Sequence, residues 1–250
     1  MSSLVFSGQS TPQGLYAQSA TQMAPLGTKL VLGDGREFIY AKNGAATGVA
    51  GNIYAAPSVT VTGGPVTDHL NCSVLAAAIG DRYIDVALGA TAATENYYAG
   101  GYLVVSDGTG EGVTYKITGH AAAALSTTLR VYLADPVIEA LVASGTSQVD
   151  LIPHKCSYAI IHGGPTLGML IGVAVRDFTA AYYGWYQTKG QAAVLTNGTV
   201  VIGNLVIASV SVDGAVEAVS TTYAVTAYPV GRVQVVGLTG EYSTIDLNIV

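Results

Sequence analysis

The C-terminal part of the chain consists of short apolar runs separated by turn residues. The runs are QAAVL, TVVI, LVIASVSV and AVEAV, and they are divided at Asn197-Gly198, Gly203-Asn204 and Asp213-Gly214. Asn, Asp and Gly tolerate the positive φ of tight hairpin turns, so each pair predicts a reversal between two strands. Two further runs, GRVQVVGL and STIDLNIV, read as closing strands. Short strands with such turns predict a β-barrel or sandwich over residues 150–250.

The middle of the chain, residues 66–149, has the pattern of a β-meander. Two runs of alternating residues meet across SDGTGEG within residues 100–120, and TTLRVYLADP follows as a third strand. A short strand is also predicted at residues 82–88. The glycine pattern DGTGEGV is not a phosphate-binding loop, because such a loop must open a helix and a strand follows here. It therefore predicts a bulged hairpin.

Two alanine-containing runs in this region predict short helical turns. One begins with NCSVLAAAIG, and the other is PVIEALVAS at residues 136–144, where proline occupies a tolerated first helical position.

The N-terminal part, residues 1–65, is rich in Gly, Ala, Ser, Thr and Pro and has weak periodicity. Its clearest signal is a hairpin around Asp34-Gly35 within residues 28–44. The rest predicts an extended arm, with disorder as the alternative, because such a segment gains order only on another surface. The predicted fold class is mainly all-β, with short-stranded barrel or sandwich modules, an extended N-terminal arm and a few short helical turns.

The composition favours assembly and argues against two partner classes. Half of the residues are hydrophobic and 10% are charged, against about 25% charged in an ordinary soluble domain. Such a surface would aggregate in a monomer, so we expect it to be buried against neighbours. Ten scattered basic residues and a net charge of −6 give no footprint for nucleic acid. The apolar stretches are too short for a membrane span of about 20 residues, and the first residues lack a signal peptide, which predicts synthesis in the cytoplasm.

No residue pattern predicts a cofactor, a metal or a catalytic site, so the expectation is a protein that is not an enzyme. His154, Cys156 and His162 would share one face of a strand, but they lack a fourth ligand. Cys72 and Cys156 are expected as buried hydrophobic residues.

The competing enzymatic hypothesis is a polysaccharide hydrolase that uses Asp107 and Glu111 as acid and base. Both lie in a glycine-rich turn without any sign of the desolvation that such an acid needs.

Two aromatic clusters are the candidate site residues. Aromatic side chains can stack on sugars or bury a large area against protein. Along a strand, Tyr183 and Trp185 would face one way, with Tyr182 and Tyr186 opposite, which favours packing on both faces. The candidates for intersubunit or packing contacts are Tyr97, Tyr98, Tyr102, Tyr182, Tyr183, Trp185 and Tyr186.

Residues 71–219 resemble structural proteins of tailed-bacteriophage virions, some of which are capsid decoration or cement proteins. The most specific part is the pattern Tyr-Gly-Trp-x-Gln-Thr-x-Gly-x-Ala at residues 183–192, with the later Gly-x-Leu-Val and Asp-Gly-Ala-Val segments. The resemblance implies a non-enzymatic, mostly β protein on the capsid exterior of the virion. Its partners would be the lattice of the major capsid protein and two further copies in a homotrimer. The alternative is a tail or fibre component that binds a host-surface glycan through exposed aromatics.

Overall fold

The computed structural model describes residues 5–7 (backbone only), 12–56, 69–143, 146–163, 168–219 and 229–249. These residues form seventeen strands and no helix, which confirms the predicted all-β fold. Parts of each predicted segment lie outside the described residues, including 1–4, 8–11 and 57–65 of the arm. The strands are β1 (Val5–Ser7), β2 (Lys29–Val31), β3 (Glu37–Lys42), β4 (Ile53–Ala55), β5 (Cys72–Ser73), β6 (Tyr83–Ala87), β7 (Tyr102–Asp107), β8 (Thr114–His120), β9 (Thr128–Leu133), β10 (Gln148–Ile152), β11 (Ile160–Ile161), β12 (Leu170–Ala174), β13 (Tyr183–Leu195), β14 (Leu205–Ala208), β15 (Val216–Ala218), β16 (Pro229–Val233) and β17 (Tyr242–Asn248).

The chain forms two compact units. Unit 1 contains Met1–Ser58 and Lys155–Val250, and unit 2 contains Val59–His154. The predicted division into 1–65, 66–149 and 150–250 differs from this arrangement in one main respect. The first and last segments were expected to be separate, whereas they fold together, because strands from both build one sheet.

The sheet of unit 1 curves as a half-barrel around the long strand β13. Its order is β1-β2-β3-β13-β17-β16-β14-β15, and β12, β4 and β11 extend from β13 on a second path. The first half of β13 pairs with β3, and its second half pairs with β17. One strand of thirteen residues thus connects the N-terminal and C-terminal segments.

The described part of the predicted arm, residues 12–56, packs into unit 1, and the side chains of strand β3 show the reason. Phe38 and Tyr40 pack into a cluster on one side of this strand, while Ile39 and Ala41 pack into another on the other side. A strand that is apolar on both faces must be covered on both sides. Leu15 and Ala24 belong to the first cluster, and Cys156 and Phe178 belong to the second. Residues 12–56 are therefore part of unit 1, and the arm prediction is corrected for them.

Unit 2 is a nearly closed six-stranded barrel. Its order is β5-β10-β7-β8-β9-β6, and Val74, just after β5, bridges Val86 of β6. Inward residues alternate with outward ones along these strands, as the buried–exposed repeat of β9 shows. The predicted meander and the strand at residues 82–88 are present as β7-β8-β9 and β6.

The predicted helical turns are not formed in the described residues. The backbones of Ala77 and Leu141 exchange hydrogen bonds at 3.2 and 2.9 Å, so the two runs pair with each other. Cross-strand bonds satisfy the amides that a helix would have used. Ser144, at the end of the second run, lies outside the described residues.

Candidate interaction surfaces

Trp185 is fully buried on one face of β13. Its indole Nε1 donates a hydrogen bond of 3.0 Å to the carbonyl oxygen of Gln13. The ring of Tyr40 lies 5.0 Å away at a steep angle, and the Tyr40 hydroxyl donates to Oε1 of Gln13 at 2.7 Å. The ring of Tyr183 stacks on Tyr40 at 6.2 Å. Tyr183 and Trp185 therefore share one side of the strand and are held by the N-terminal segment.

Tyr186 is buried on the opposite side of β13. Its ring stacks on Phe178 at 4.9 Å and lies 5.2 Å from Tyr54. Burial raises the pKa of the Tyr186 hydroxyl well above its ordinary value, and this hydroxyl donates to Oδ1 of Asn43 at 3.3 Å. Tyr182 is half-buried in the turn before the strand. The second aromatic cluster thus packs within one chain, and a role between subunits stays a prediction.

In the first aromatic cluster, Tyr98 lies inside the unit 2 barrel between two buried histidines. Nε2 of His69 donates to the carbonyl oxygen of Thr91 at 3.1 Å, and Nδ1 of His69 forms a hydrogen bond of 2.6 Å with the Tyr98 hydroxyl. Nδ1 of His120 donates to the carbonyl of Ala121, so Nε2 accepts the backbone N–H of Tyr98 at 3.1 Å. Because one nitrogen of His120 donates and the other accepts, the His120 ring is neutral in this arrangement. Burial lowers the pKa of His120.

The other two members of the first cluster differ in exposure. Tyr97 is half-buried and meets Tyr98 edge-on at 5.0 Å. Tyr102 points outward at the start of β7 and is 42% exposed. Of the seven predicted aromatic residues, Tyr102 is therefore the one on the outer surface.

Tyr102 belongs to a row of exposed side chains across the outer face of the unit 2 barrel. Tyr102 lies opposite Lys116 in the β7–β8 ladder, and Tyr83 lies opposite Tyr132 in the β6–β9 ladder. Tyr83 and Tyr132 are not among the residues predicted from the sequence. The available signal was the alternation in LRVYL, which places Arg130 and Tyr132 on the same strand face. We call this set the aromatic–basic row: Tyr83, Tyr102, Tyr132, Lys116 and Arg130, together with Arg82, which precedes β6 and reaches the carbonyl of Ala134 just after β9.

Unit 1 presents an exposed apolar patch. The backbones of Val200 and Gly237 exchange hydrogen bonds at 3.1 and 3.4 Å, and the N–H of Gly203 donates to the carbonyl of Val233 at 2.8 Å. These bonds place the segment after β13 beside the segment after β16. Five aliphatic side chains in the two segments are between 50% and 63% exposed. We call them the apolar patch: Val201, Ile202, Val235, Val236 and Leu238.

A groove of about 1020 Å³ in unit 1 is lined by charges of both signs. Arg36 pairs with Asp34 at 2.7 Å, and Lys189 pairs with Glu37 at 3.2 Å. Arg232 donates to the carbonyl of Gly203 at 2.9 Å. Arg36 and Lys189 are paired with carboxylates, and Asp246 in the lining has a charge opposite to that of Arg232, so the groove has little net charge to bind an ionic ligand.

No family model, curated protein or solved structure matches this chain. No helix in the described ranges is long and apolar enough to cross a membrane.

The histidine and cysteine candidates do not form a ligand set in the residues that the structure describes. Residues 155–158 are turn and bend, so the expected common strand face of His154, Cys156 and His162 does not exist. Across the described part of the chain, no group of three or more His, Cys, Asp or Glu side chains is placed to hold a metal. Cys72 and Cys156 are both buried, which confirms that prediction, and burial raises the pKa of each thiol to about 11.

The carboxylates of the hydrolase hypothesis are both exposed. Asp107 ends β7, and Glu111 lies in the hairpin that follows. Gly108, Gly110 and Gly112 have φ between 77° and 87°, so this segment is the glycine-rich turn that the sequence predicted. Neither carboxylate has the desolvated, apolar surroundings that a catalytic acid requires.

Proposed function

We propose that the protein is a non-enzymatic structural component of a tailed-bacteriophage virion. In this proposal it binds the outer capsid surface as a homotrimer and stabilises the shell as a decoration or cement protein. The apolar patch carries the proposal, because a folded domain rarely leaves five neighbouring aliphatic side chains about half exposed without a partner surface. The resemblance of residues 71–219 to virion proteins supports the same assignment.

The energetics favour a symmetric assembly over a single contact. Full burial of one large aliphatic side chain contributes roughly 1.5 to 3 kcal/mol, so covering the exposed half of five contributes roughly 4 to 8 kcal/mol. Association of two bodies costs about 4 to 15 kcal/mol in lost freedom. One patch is therefore marginal by itself. A trimer that buries three patches, and then binds the lattice at three points, gains from multivalency.

Shell stabilisation follows from linkage. A protein that binds the assembled lattice and not its dissociated subunits shifts the equilibrium toward the lattice. The proposal therefore requires neither a cofactor nor a reaction.

The test begins with the mass of the purified protein by light scattering. The expected result is a trimer for the natural protein and a monomer for Ile202→Asp, because a charge in a buried apolar contact is costly. Leu125→Asp is the matched control, since Leu125 is also exposed but lies outside the apolar patch. It should remain trimeric.

The second step measures binding to capsids stripped of accessory proteins. The trimer should saturate these shells at high copy number and raise the temperature at which they dissociate. A natural protein that is monomeric, or that leaves the dissociation temperature of the shells unchanged, would contradict the proposal.

A further inference from the structure

The aromatic–basic row of unit 2 concentrates residue types that are scarce in that unit. Residues 59–154 contain three basic residues against nine acidic ones, and all three basic residues belong to the row. The three tyrosines of the row are between 36% and 49% exposed. If the basic residues were distributed at random over this acidic unit, all three would not lie beside its exposed aromatic rings. The row therefore has the character of a binding surface.

The side chains of the row are held in place before any ligand arrives. Arg130 donates two hydrogen bonds of 2.8 Å to the carboxylate of Asp85, and its guanidinium lies 4.0 Å from the centre of the Tyr83 ring. Lys116 donates to the carbonyl of Gly100 at 2.8 Å and lies 4.8 Å from the centre of the Tyr102 ring. Because these groups are already ordered, a ligand loses less free energy in fixing them.

The row retains hydrogen-bonding capacity and a small positive charge. Lys116 carries two further N–H donors beyond its bond to Gly100, and Arg82 uses its Nη1 on the carbonyl of Ala134 at 3.0 Å. Asp85 neutralises Arg130, so Arg82 and Lys116 remain as two positive charges. This charge suits one or two isolated carboxylates rather than a densely charged polymer, which the acidic remainder of the unit would repel.

The spacing of the rings suits a short extended ligand. Tyr132 on β9 and Tyr102 on β7 are separated by strand β8, which gives two strand spacings of about 5 Å each across the sheet. The two residues are also offset along the strands, because Tyr102 lies opposite Lys116 and Tyr132 lies opposite Gly119. The outward residues on β8 are Thr114, Lys116 and Thr118, which are polar. The row therefore offers aromatic faces and hydrogen-bond donors without the aliphatic centre that protein interfaces bury.

We propose that the aromatic–basic row binds a cell-surface polysaccharide in which acidic sugars alternate with neutral ones. Sugar rings stack on Tyr132 and Tyr102, and their carboxylates accept hydrogen bonds from Lys116 and Arg82. This binding activity does not depend on the proposed trimer contact, because that contact uses the apolar patch of unit 1.

The test titrates the full-length protein with hyaluronan oligosaccharides, in which glucuronic acid alternates with N-acetylglucosamine, and follows binding by calorimetry. Tyr132→Ala and Tyr102→Ala should each weaken binding about two- to twelvefold, which corresponds to about 0.5 to 1.5 kcal/mol for one aromatic contact. Lys116→Gln should weaken binding at low salt and have a smaller effect at high salt. The matched controls are Tyr16→Ala and Lys29→Gln, which alter exposed side chains of unit 1 and should bind as the natural protein does.

Three results would each overturn the inference. The first is no binding of the oligosaccharides at millimolar concentration. The second is equal affinity in the row variants and in the controls, with unchanged circular dichroism showing that all of them are folded. The third is binding of polyglutamate with the same affinity and the same dependence on Tyr132, which would assign the row to an acidic polypeptide.

Discussion

Replacing Trp185 by alanine is expected to lower the free energy of unfolding of unit 1 by about 3 to 5 kcal/mol. The indole is fully buried and shares its cluster with Leu30, Phe38 and Tyr40. Within that total, the edge-on contact with Tyr40 contributes about 0.5 to 1.5 kcal/mol beyond its buried area. The carbonyl of Gln13 also loses its indole donor, at a cost of about 1 to 3 kcal/mol if no water replaces it.

The loss is large relative to the whole stability of a domain, which is about 5 to 15 kcal/mol. Guanidinium unfolding followed by far-ultraviolet circular dichroism measures it, because the variant lacks the only tryptophan of the chain and gives no indole fluorescence. A second variant, Trp185→Phe, keeps most of the ring and removes the N–H. The expected loss of stability is smaller for Trp185→Phe. The difference between the two variants separates the cost of the cavity from the cost of the lost hydrogen bond.

Tyr16→Ala provides the matched surface control, since Tyr16 is exposed in the same unit. It should change the stability by less than about 0.5 kcal/mol. If Trp185→Ala remained within about 1 kcal/mol of the natural protein at an unchanged denaturant dependence, the indole could not be a core side chain, and the packing derived for β13 would be wrong.

Three further predictions concern protonation, backbone space and thiol burial. Because burial lowers the pKa of folded His120 below the value of about 6.5 for an unfolded histidine, its contribution to stability is complete above that pH and is lost as the pH falls toward the folded pKa. Denaturant titrations of unit 2 at about pH 8 and about pH 5 test this, and equal stabilities would refute it. Gly184→Ala should cost about 1 to 3 kcal/mol in thermal or chemical unfolding, because the added methyl group would collide with the ring of Phe178. Cys72 and Cys156, with pKa values of about 11, should not react with a disulfide reagent near pH 8 until the protein is unfolded, and fast labelling of the native state would contradict their burial.

The turns and the strand periodicity could be predicted from the sequence because both are local. Gly35 and Gly214 have φ of 85° and 73°, the left-handed conformation that their turn pairs required. Gly198 also has a φ of 77°, but residues 199–202 do not form the strand predicted to follow it and make only an isolated bridge from Val200 to Gly237. The alternation of Tyr183 and Trp185 against Tyr186 also follows from the two-residue repeat of a strand.

The pairing partners could not be predicted in the same way. Trp185 lies opposite Tyr40 in the ladder between β13 and β3, across most of the chain. Nothing in either run specifies the other, because strand register is set by burial of whole faces in the folded domain. The exposed tyrosines Tyr83 and Tyr132 were missed for a related reason. Their strands have ordinary alternation, and only the closed barrel decides which face is turned to water.

The apolar patch and the aromatic–basic row lie on different units of the chain, and unit 2 is an insertion in unit 1. β4, before the inserted segment, pairs antiparallel with β11, after it, with Tyr54 opposite Ile161 and Ala55 opposite Ile160. Unit 2 is thus inserted between two neighbouring strands of unit 1, at a position where a hairpin connection would suffice. An insertion of this kind leaves the β3–β13–β17 core of unit 1 intact. In the proposed roles, the apolar patch on unit 1 and the aromatic–basic row on unit 2 could therefore change independently, because neither set of side chains contributes to the core of the other unit.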